Sequence, residues 1–384
     1  MFLYRRILVE KEHELISPEK NCFLQSNIRQ SMNCVEYDRT RRGFFERRAI
    51  LMTLFLCLVF NTLISGQSIS NVGTSAASFL EMGVGARAAG LGEAVVSLDQ
   101  SATAMYWNSA GIGRVTGFQV NFSYIDWFID TRYIYTGIVA PIPGKGAIGL
   151  NVISFGMDEQ PVRLVGQEEG TGEFYSAQDI ALGVTLAINL TNRFTFGING
   201  KYIRQQIWHT SATGFALDLG ALYITQWDGL RLGVSVSNFG SSLKLNGRDL
   251  INVLDPDISN YGVDNINVFY QTDAFDLPLI ARLGMSYSHS LFSDKSQITI
   301  ASDFLHPSND SESINMGMEI VFLKTISIRT GYKSLFLRDI VSGISLGAGL
   351  VTGKIGGGKV TIDYAYVDWG VLNAVHNLSL GLKL

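Results

Sequence analysis

From residue 117 onward, apolar and polar residues alternate with a period of two, which marks strands with two unlike faces. Ile180, Leu182, Val184, Leu186 and Ile188 share one face, with Ala181, Gly183, Thr185, Ala187 and Asn189 on the other. Phe194, Phe196 and Ile198 oppose Arg193, Thr195 and Asn199 in the same way. Ile344, Leu346, Ala348 and Leu350 oppose Gly343, Ser345, Gly347 and Gly349, and Leu378, Leu380, Leu382 and Leu384 oppose Asn377, Ser379, Gly381 and Lys383. About fourteen such runs are expected, at 117–125, 132–141, 146–155, 177–189, 193–204, 213–224, 229–237, 278–288, 296–305, 313–322, 325–333, 341–351, 359–366 and 375–384. Most are near the roughly ten residues that a tilted membrane-spanning strand needs.

The connections support this count. Those at 141–145, 190–192, 225–228, 289–295, 323–324 and 352–358 are mostly short and carry Pro, Gly, Asn or Asp, the turn formers. The two longest, 156–176 and 238–277, fall on the same side when the strands are numbered in order. Short turns at one end and long loops at the other are the habit of outer-membrane barrels. A soluble sandwich also alternates, but here the less apolar faces carry Gly, Ala, Ser and Thr rather than Lys and Glu. Tyr124, Trp127, Tyr133, Trp208, Tyr223, Trp227, Tyr366 and Trp369 also sit near strand ends, where interfacial girdles belong. The expected fold class is all-β: a transmembrane antiparallel β-barrel of about 14 strands with an N-terminal plug. Hydrocarbon offers no partners to backbone N–H and C=O groups, so the sheet must close on itself.

The first part of the chain reads differently. Residues 50–65 are apolar and uncharged, preceded by Arg41, Arg42, Arg47 and Arg48 and followed by Ser65, Gly66 and Gln67. This is the pattern of a secretory signal peptide cleaved before Gln67, and the run is too short for a membrane-spanning helix. The expected organisation is therefore an extension outside the fold at 1–48, a signal peptide at 49–66, a plug at 67–116 and an outer-membrane barrel at 117–384. Cys22, Cys34 and Cys57 all precede the cleavage point, so the exported chain is expected to have no disulfide. From residue 67 on there are 20 Lys and Arg against 27 Asp and Glu. That balance argues against nucleic acid as a partner. The same stretch holds 38 of the 40 glycines.

Residues 71–116 have too few large apolar side chains for a core of their own, and they lead directly into the first strand. Gly83, Gly85, Gly90 and Gly92 punctuate the segment, and 101–107 is expected to form a short helix. Gly85-Ala86-Arg87-Ala88-Ala89-Gly90-Leu91-Gly92, Ala94-Val95-Val96 and Ala104-Met105-Tyr106-Trp107-Asn108-Ser109-Ala110-Gly111 resemble the N-terminal signature of the PorV/PorQ family. Asp363-Tyr364-Ala365-Tyr366 and His376-Asn377-Leu378-Ser379-Leu380-Gly381-Leu382 are similar to its last hairpin. The resemblance covers about 71–384. It implies a fourteen-stranded barrel related to FadL-type transporters, whose N-terminal hatch carries Asn-Pro-Ala. Asn108, Ser109 and Ala110 match that motif, with serine in the proline position.

Two functions follow as expectations. In the first, a component associated with type IX secretion binds secreted proteins or secretion-system subunits through its surface loops. Leu243, Leu245, Leu250, Ile251 and Val253 of the long loop would then offer an apolar partner surface or cradle a lipid-like ligand. In the second, a FadL-like transporter carries a hydrophobic small molecule across the outer membrane, its hatch shifting and its cargo leaving laterally between strands. Outer-membrane lipid is a partner in either case.

Within the plug, Arg87 is expected to pair with a lumen carboxylate, because a buried charge needs a partner. Trp107, Asn108, Ser109 and Ala110 form the hatch turn, Asn108 capping its backbone. Lumen charges are expected at Arg193, Lys201, Asp218, Arg282, Asp303, Glu319, Arg329 and Asp363, with Arg231, Lys359 and Lys383 as further candidates. Asp255-Pro256-Asp257-Ile258-Ser259-Asn260 and Asp264 lack calcium-loop spacing. The histidines (His209, His289, His306, His376) are dispersed. No metal, no cofactor and no enzymatic site are expected.

Overall fold

The computed structural model describes residues 73–256, 266–291, 295–337, 343–355 and 357–384. The signal peptide, the extension before it, and Asp257, Ile258, Ser259, Asn260 and Asp264 lie outside them.

The chain forms a closed barrel of fourteen antiparallel strands. They are β1 (Gln119–Asp126), β2 (Thr131–Ile142), β3 (Gly146–Met157), β4 (Ala177–Asn189), β5 (Phe194–Ile207), β6 (Thr210–Ile224) and β7 (Leu230–Gly240). The second half comprises β8 (Ile280–Leu291), β9 (Ser296–Pro307), β10 (Ser313–Phe322), β11 (Ile326–Leu335), β12 (Ile344–Ile355), β13 (Gly358–Asp368) and β14 (Ala374–Lys383). Each strand pairs with the next, and β14 returns to β1 with Tyr124 opposite Leu378. All fourteen expected runs are strands. The structure extends most of them by one to three residues at the long-loop end, where the pairing outlasts the apolar belt.

Alternation decides which face meets lipid. On β4, Ala181, Thr185 and Ala187 are buried, while Leu182, Val184, Leu186 and Ile188 are exposed. Leu378 and Leu380 on β14 and Ile300 and Phe304 on β9 likewise point outward. A belt of exposed Leu, Ile, Val and Phe around a closed ladder suits hydrocarbon and would be an aggregation hazard in water. Among the described residues no helix is long and apolar enough to cross a membrane.

The long connections, 158–176 and 241–279, leave the same end. Small two-stranded ribbons decorate them: Gln160–Pro161 with Phe174–Tyr175, Leu243–Lys244 with Ala274–Phe275, and Ile251–Leu254 with Ile266–Phe269. The ladders slip at three places, and the β6–β7 slip falls between Leu217 and Leu219. Asp218 therefore has no register partner on β7, and Asn238 has a positive φ of 67°.

Candidate functional site

Residues 74–116 run through the barrel from the long-loop end to the short-turn end. This is deeper than a segment resting in the mouth. At the long-loop end, the Ala76 N–H donates to the Asp276 carbonyl at 2.9 Å and the Ala77 N–H to Gln205 Oε1 at 3.0 Å. At the opposite end, Arg114 donates to the Asn192 and Thr191 carbonyls and to Thr195 Oγ1. Between these ends lie a 3₁₀ turn at Ser78–Glu81, a short helix α1 (Ala86–Gly90), a second α2 (Ala104–Trp107) and a 3₁₀ stretch at Ser109–Arg114.

The small residues of the inward faces make this passage possible. A Cβ built on Gly331 would lie 2.0 Å from the backbone nitrogen of Gly92. One on Gly197 would lie 2.3 Å from the Ser109 carbonyl carbon. Backbone meets backbone at both points, so no side-chain adjustment would relieve the clash. Gly233 and Gly317 meet the segment's backbone in the same manner, and Gly220 makes room for the Asn108 side chain.

On one side of the lumen the segment is held by charge. The Arg87 guanidinium forks onto Glu319, with Nε at 3.1 Å and Nη2 at 2.7 Å. Arg329, directly across the ladder from Glu319, donates to it at 2.7 Å and to Asp363 at 2.6 Å. Two cations and two anions thus alternate in one chain. Such geometry offsets the large cost of taking ions out of water. Burial is the largest single influence on the Arg87 pKa and depresses it; the Glu319 charge and hydrogen bond, with the Asp99 and Asp363 charges, together outweigh it and leave it raised. Backbone bonds accompany this chain: the Ala86 N–H donates to Ser379, Gly92 to Ser345 and Val96 to Asp303 Oδ2. Glu93 pairs with Lys333 at 2.7 Å.

The Asn108 turn docks further along. Its side-chain oxygen accepts from the Ala110 N–H at 3.1 Å, and its amide donates to the Val96 and Ala221 carbonyls. One side chain therefore ties the turn to itself, to the rest of the segment and to β6. The turn needs no proline, because this capping bond supplies the constraint. Ser109 and Ala110 are buried against β5 and β6. Trp107 donates to the Val84 carbonyl and lies 5.6 Å beneath the Arg282 guanidinium. Lys201 and Asp218 form a separate buried pair at 2.8 Å, which Asn199 and the Asn238 N–H complete.

Lys201, Asp218, Arg282, Asp303, Glu319, Arg329 and Asp363 are all buried, inward-facing positions. Arg193 is not one of them. It is exposed in the short turn before β5, where the inward parity of its strand no longer meets a lumen. Lys359 and Lys383 are exposed at the same end, and Arg231 is half-buried.

The opposite wall of the lumen, at the long-loop end, is apolar. Ile125, Tyr133, Tyr135, Ile153, Ala181, Ile203, Ala212 and Ala216 of β1 to β6 form one buried cluster with Val375. Phe79, Leu80 and Val84 of the segment pack on it, and Leu243 and Leu277 of the long loop close its edge. Leu243, expected to offer a partner surface or to cradle a lipid-like ligand, is 2% exposed and so faces no partner, because its ribbon folds back over Gly214. Leu245, Ile251 and Val253 do face outward, and Leu250 is half-buried. Trp127, Phe128 and Trp369 pack beside the cluster with ring centroids 5.0 to 5.6 Å apart. Sequence reading missed this wall. Its residues occupy the inward parity, where small and polar types dominate elsewhere, and the large inward pairs Tyr133/Tyr135 on β2 and Ile153/Phe155 on β3 were the available signal.

No protein-family model matches the sequence, and no curated protein matches it by sequence. The fold is found among solved structures. The Ralstonia pickettii toluene transporter TbuX is similar at 11% identity and a TM-score of 0.50, over 78% of this chain and 97% of that one. The Pseudomonas putida toluene transporter TodX is similar at 12% identity and 0.49, over 78% and 96%. A Pseudomonas aeruginosa FadL homologue gives 13% and 0.47, over 78% and 97%. At these identities the likeness is one of fold.

Proposed function

We propose that the protein is a plugged outer-membrane channel for apolar small molecules. The observation that carries this reading is the apolar wall: Tyr133, Tyr135, Ile153 and Ile203, inside a membrane barrel, are covered by Phe79, Leu80 and Val84. The Tyr133 and Tyr135 hydroxyls donate to the Met82 and Ala102 carbonyls; the remaining contacts have no direction, so an apolar molecule of suitable size can replace them, whereas Arg87 and Glu319 can be replaced only by matched charges. Cargo enters past Trp127, Phe128 and Trp369 and displaces residues 78–84, while the charged side keeps α1 latched. A lateral exit would open at the β6–β7 ladder slip by parting the Asn238 N–H from Asp218. The barrel shared with TbuX, described as a toluene transporter, accords with cargo of that kind.

The test is uptake of radiolabelled toluene by cells producing the protein, against uptake of a sugar of similar size. Selective toluene entry is expected. Equal rates with and without the protein would remove the reading.

A secretion-associated role has one observation in its favour. Ile251, Val253, Leu254, Ile266 and Phe269 form an exposed apolar ribbon outside the barrel. It fits a protein partner of the kind the PorV/PorQ resemblance implies. Loss of surface proteins from a strain lacking residues 251–269, with toluene uptake intact, would favour that role.

A further inference from the structure

A second site lies on the outside of the barrel. Even-numbered residues of β5 point outward. Along this face the exposed Phe196 is followed by Tyr202, Arg204 and Gln206, and then by the tip residues Trp208 and His209. Tyr202 pairs with the outward Phe215 of β6, ring centroids 5.5 Å apart. Immediately beyond that pair, Arg204, Gln206, Trp208, His209, Ser211 and Arg248 line a cavity of about 280 Å³.

The cavity is held in shape. Its tip is a two-residue turn, Ile207 pairing with Thr210 across it. Trp208 sits there at a φ of 48°, a conformation that Gly or Asn would adopt at lower cost. Backbone strain of this sort persists only where the surroundings enforce it. Asp249 does so, accepting from the His209 N–H at 3.3 Å and lying 3.0 Å from His209 Nδ1. Arg248 is brought over from the long loop by the pairing of Gly247 with Thr210, and its Nη2 lies 2.8 Å from His209 Nε2. The same Nη2 lies 2.9 Å from His209 Nδ1, so the guanidinium sits close against the imidazole. Arg204 gives Nη2 to Gln206 at 3.0 Å. Each guanidinium has five donors, so these bonds leave most of both forks for a ligand.

We propose that this cavity binds the phosphate of a lipid in the outer leaflet. The order along the face is aliphatic belt, aromatic pair, two arginines, loop. It matches the order of acyl chain, interface and headgroup in a lipid lying alongside. Two arginines against the single carboxylate of Asp249 leave net positive charge, and phosphate accepts the planar guanidinium fork. The site rests on the orientation that puts the long loops outside. It does not depend on what passes through the lumen.

The test uses the whole barrel in nanodiscs of phosphatidylcholine and measures binding of phosphatidic acid, of diacylglycerol and of inorganic phosphate. Phosphatidic acid is expected to bind, diacylglycerol not to bind, and inorganic phosphate to bind at least tenfold more weakly. The Arg204→Gln/Arg248→Gln variant should lose tenfold or more in phosphatidic acid affinity. The Arg163→Gln/Arg193→Gln variant removes the same charge from exposed positions elsewhere and should bind as the parent does. All variants are to show the heat-dependent gel shift of a folded barrel. Equal losses in both double variants would reduce the effect to overall charge and overturn the proposal. So would undiminished binding by the pocket variant, or inorganic phosphate binding as tightly as the lipid.

Discussion

The two sides of the lumen grip the same segment by different physics. Along β10 to β14 the contacts are directional: Arg87 on Glu319, Arg329 bridging to Asp363, and the Ala86 and Gly92 N–H groups on serines. Along β1 to β6, at the long-loop end, Phe79, Leu80 and Val84 meet Tyr133, Ile153 and Ile203 mainly through apolar surface, with the Tyr133 and Tyr135 hydroxyls also donating to the Met82 and Ala102 carbonyls. A directional contact fixes one position and fails when either partner changes. An apolar contact tolerates exchange for anything of similar shape. A segment held one way on each side can therefore yield on the apolar side while its register is kept on the other.

The contrast is broken most completely by denying the segment its space. Gly331→Val suits β11, since β-branched residues favour strands. Its side chain would nonetheless occupy the position of the Gly92 backbone. The barrel should form and the segment should not dock, giving rapid proteolysis of 74–116 and raised conductance in planar bilayers. Gly200→Val is the control, because nothing lies within 4 Å of a Cβ there. A closed, protease-resistant Gly331→Val barrel would mean that the segment docks elsewhere.

The charged side comes next. Glu319→Ala removes the anion that Arg87 and Arg329 share, leaving Arg329 with Asp363 and Arg87 with the more distant Asp99, and breaking a buried ion pair costs about 3–5 kcal/mol. Arg87→Gln should cost less, about 1–2 kcal/mol, because Arg87 is a third exposed and Glu319 keeps Arg329. The measure is protection of the segment in a denaturant series. Equal losses in the two variants would show that Arg329 takes no part.

On the apolar side, Phe79→Ala should loosen the segment by about 3 kcal/mol and leave a cavity. Apolar cavities accept apolar solutes, so added toluene should restore protection to Phe79→Ala and do nothing for Glu319→Ala. Rescue of both or neither would erase the distinction between the walls.

How much of this could be read in the sequence follows from the same contrast. The strands were legible because lipid imposes one rule on every outward position, as the Leu378-to-Leu384 series demonstrates. The inward faces answer to particular neighbours, and only the charged ones announce themselves. Seven of the eight lumen charges fall where parity put them. Arg193 fails because parity continues past the point where the strand stops. The apolar wall stayed hidden because Tyr133 and Ile153 look like residues of an ordinary two-sided strand until Phe79 and Leu80 are placed against them. The segment's path depends on Gly197 and Gly331, and an isolated glycine in a strand does not say what approaches it.

The smallest expected effect belongs to Glu81, at the end of the segment where the two kinds of contact meet. Burial is the main cause raising its carboxyl pKa. Asn309, donating at 3.0 Å, works the other way, and the nearby Asp310 charge adds to the rise. The docked segment therefore holds this proton more tightly than the released one. Its contribution to docking is full below the ordinary carboxylate pKa and is lost as pH rises through the elevated docked value. Above that value the ionised, partly buried carboxylate is a constant penalty on docking. Protection of 74–116 from protease should accordingly decline as pH rises from the ordinary carboxylate value through the elevated one. Glu81→Gln keeps a hydrogen-bonding group beside Asn309, and it should flatten this decline and protect slightly better at neutral pH. Should the parent's protection rise with pH instead, or the Gln variant keep the full slope, the titrating group lies elsewhere in the lumen and Glu81 is a bystander.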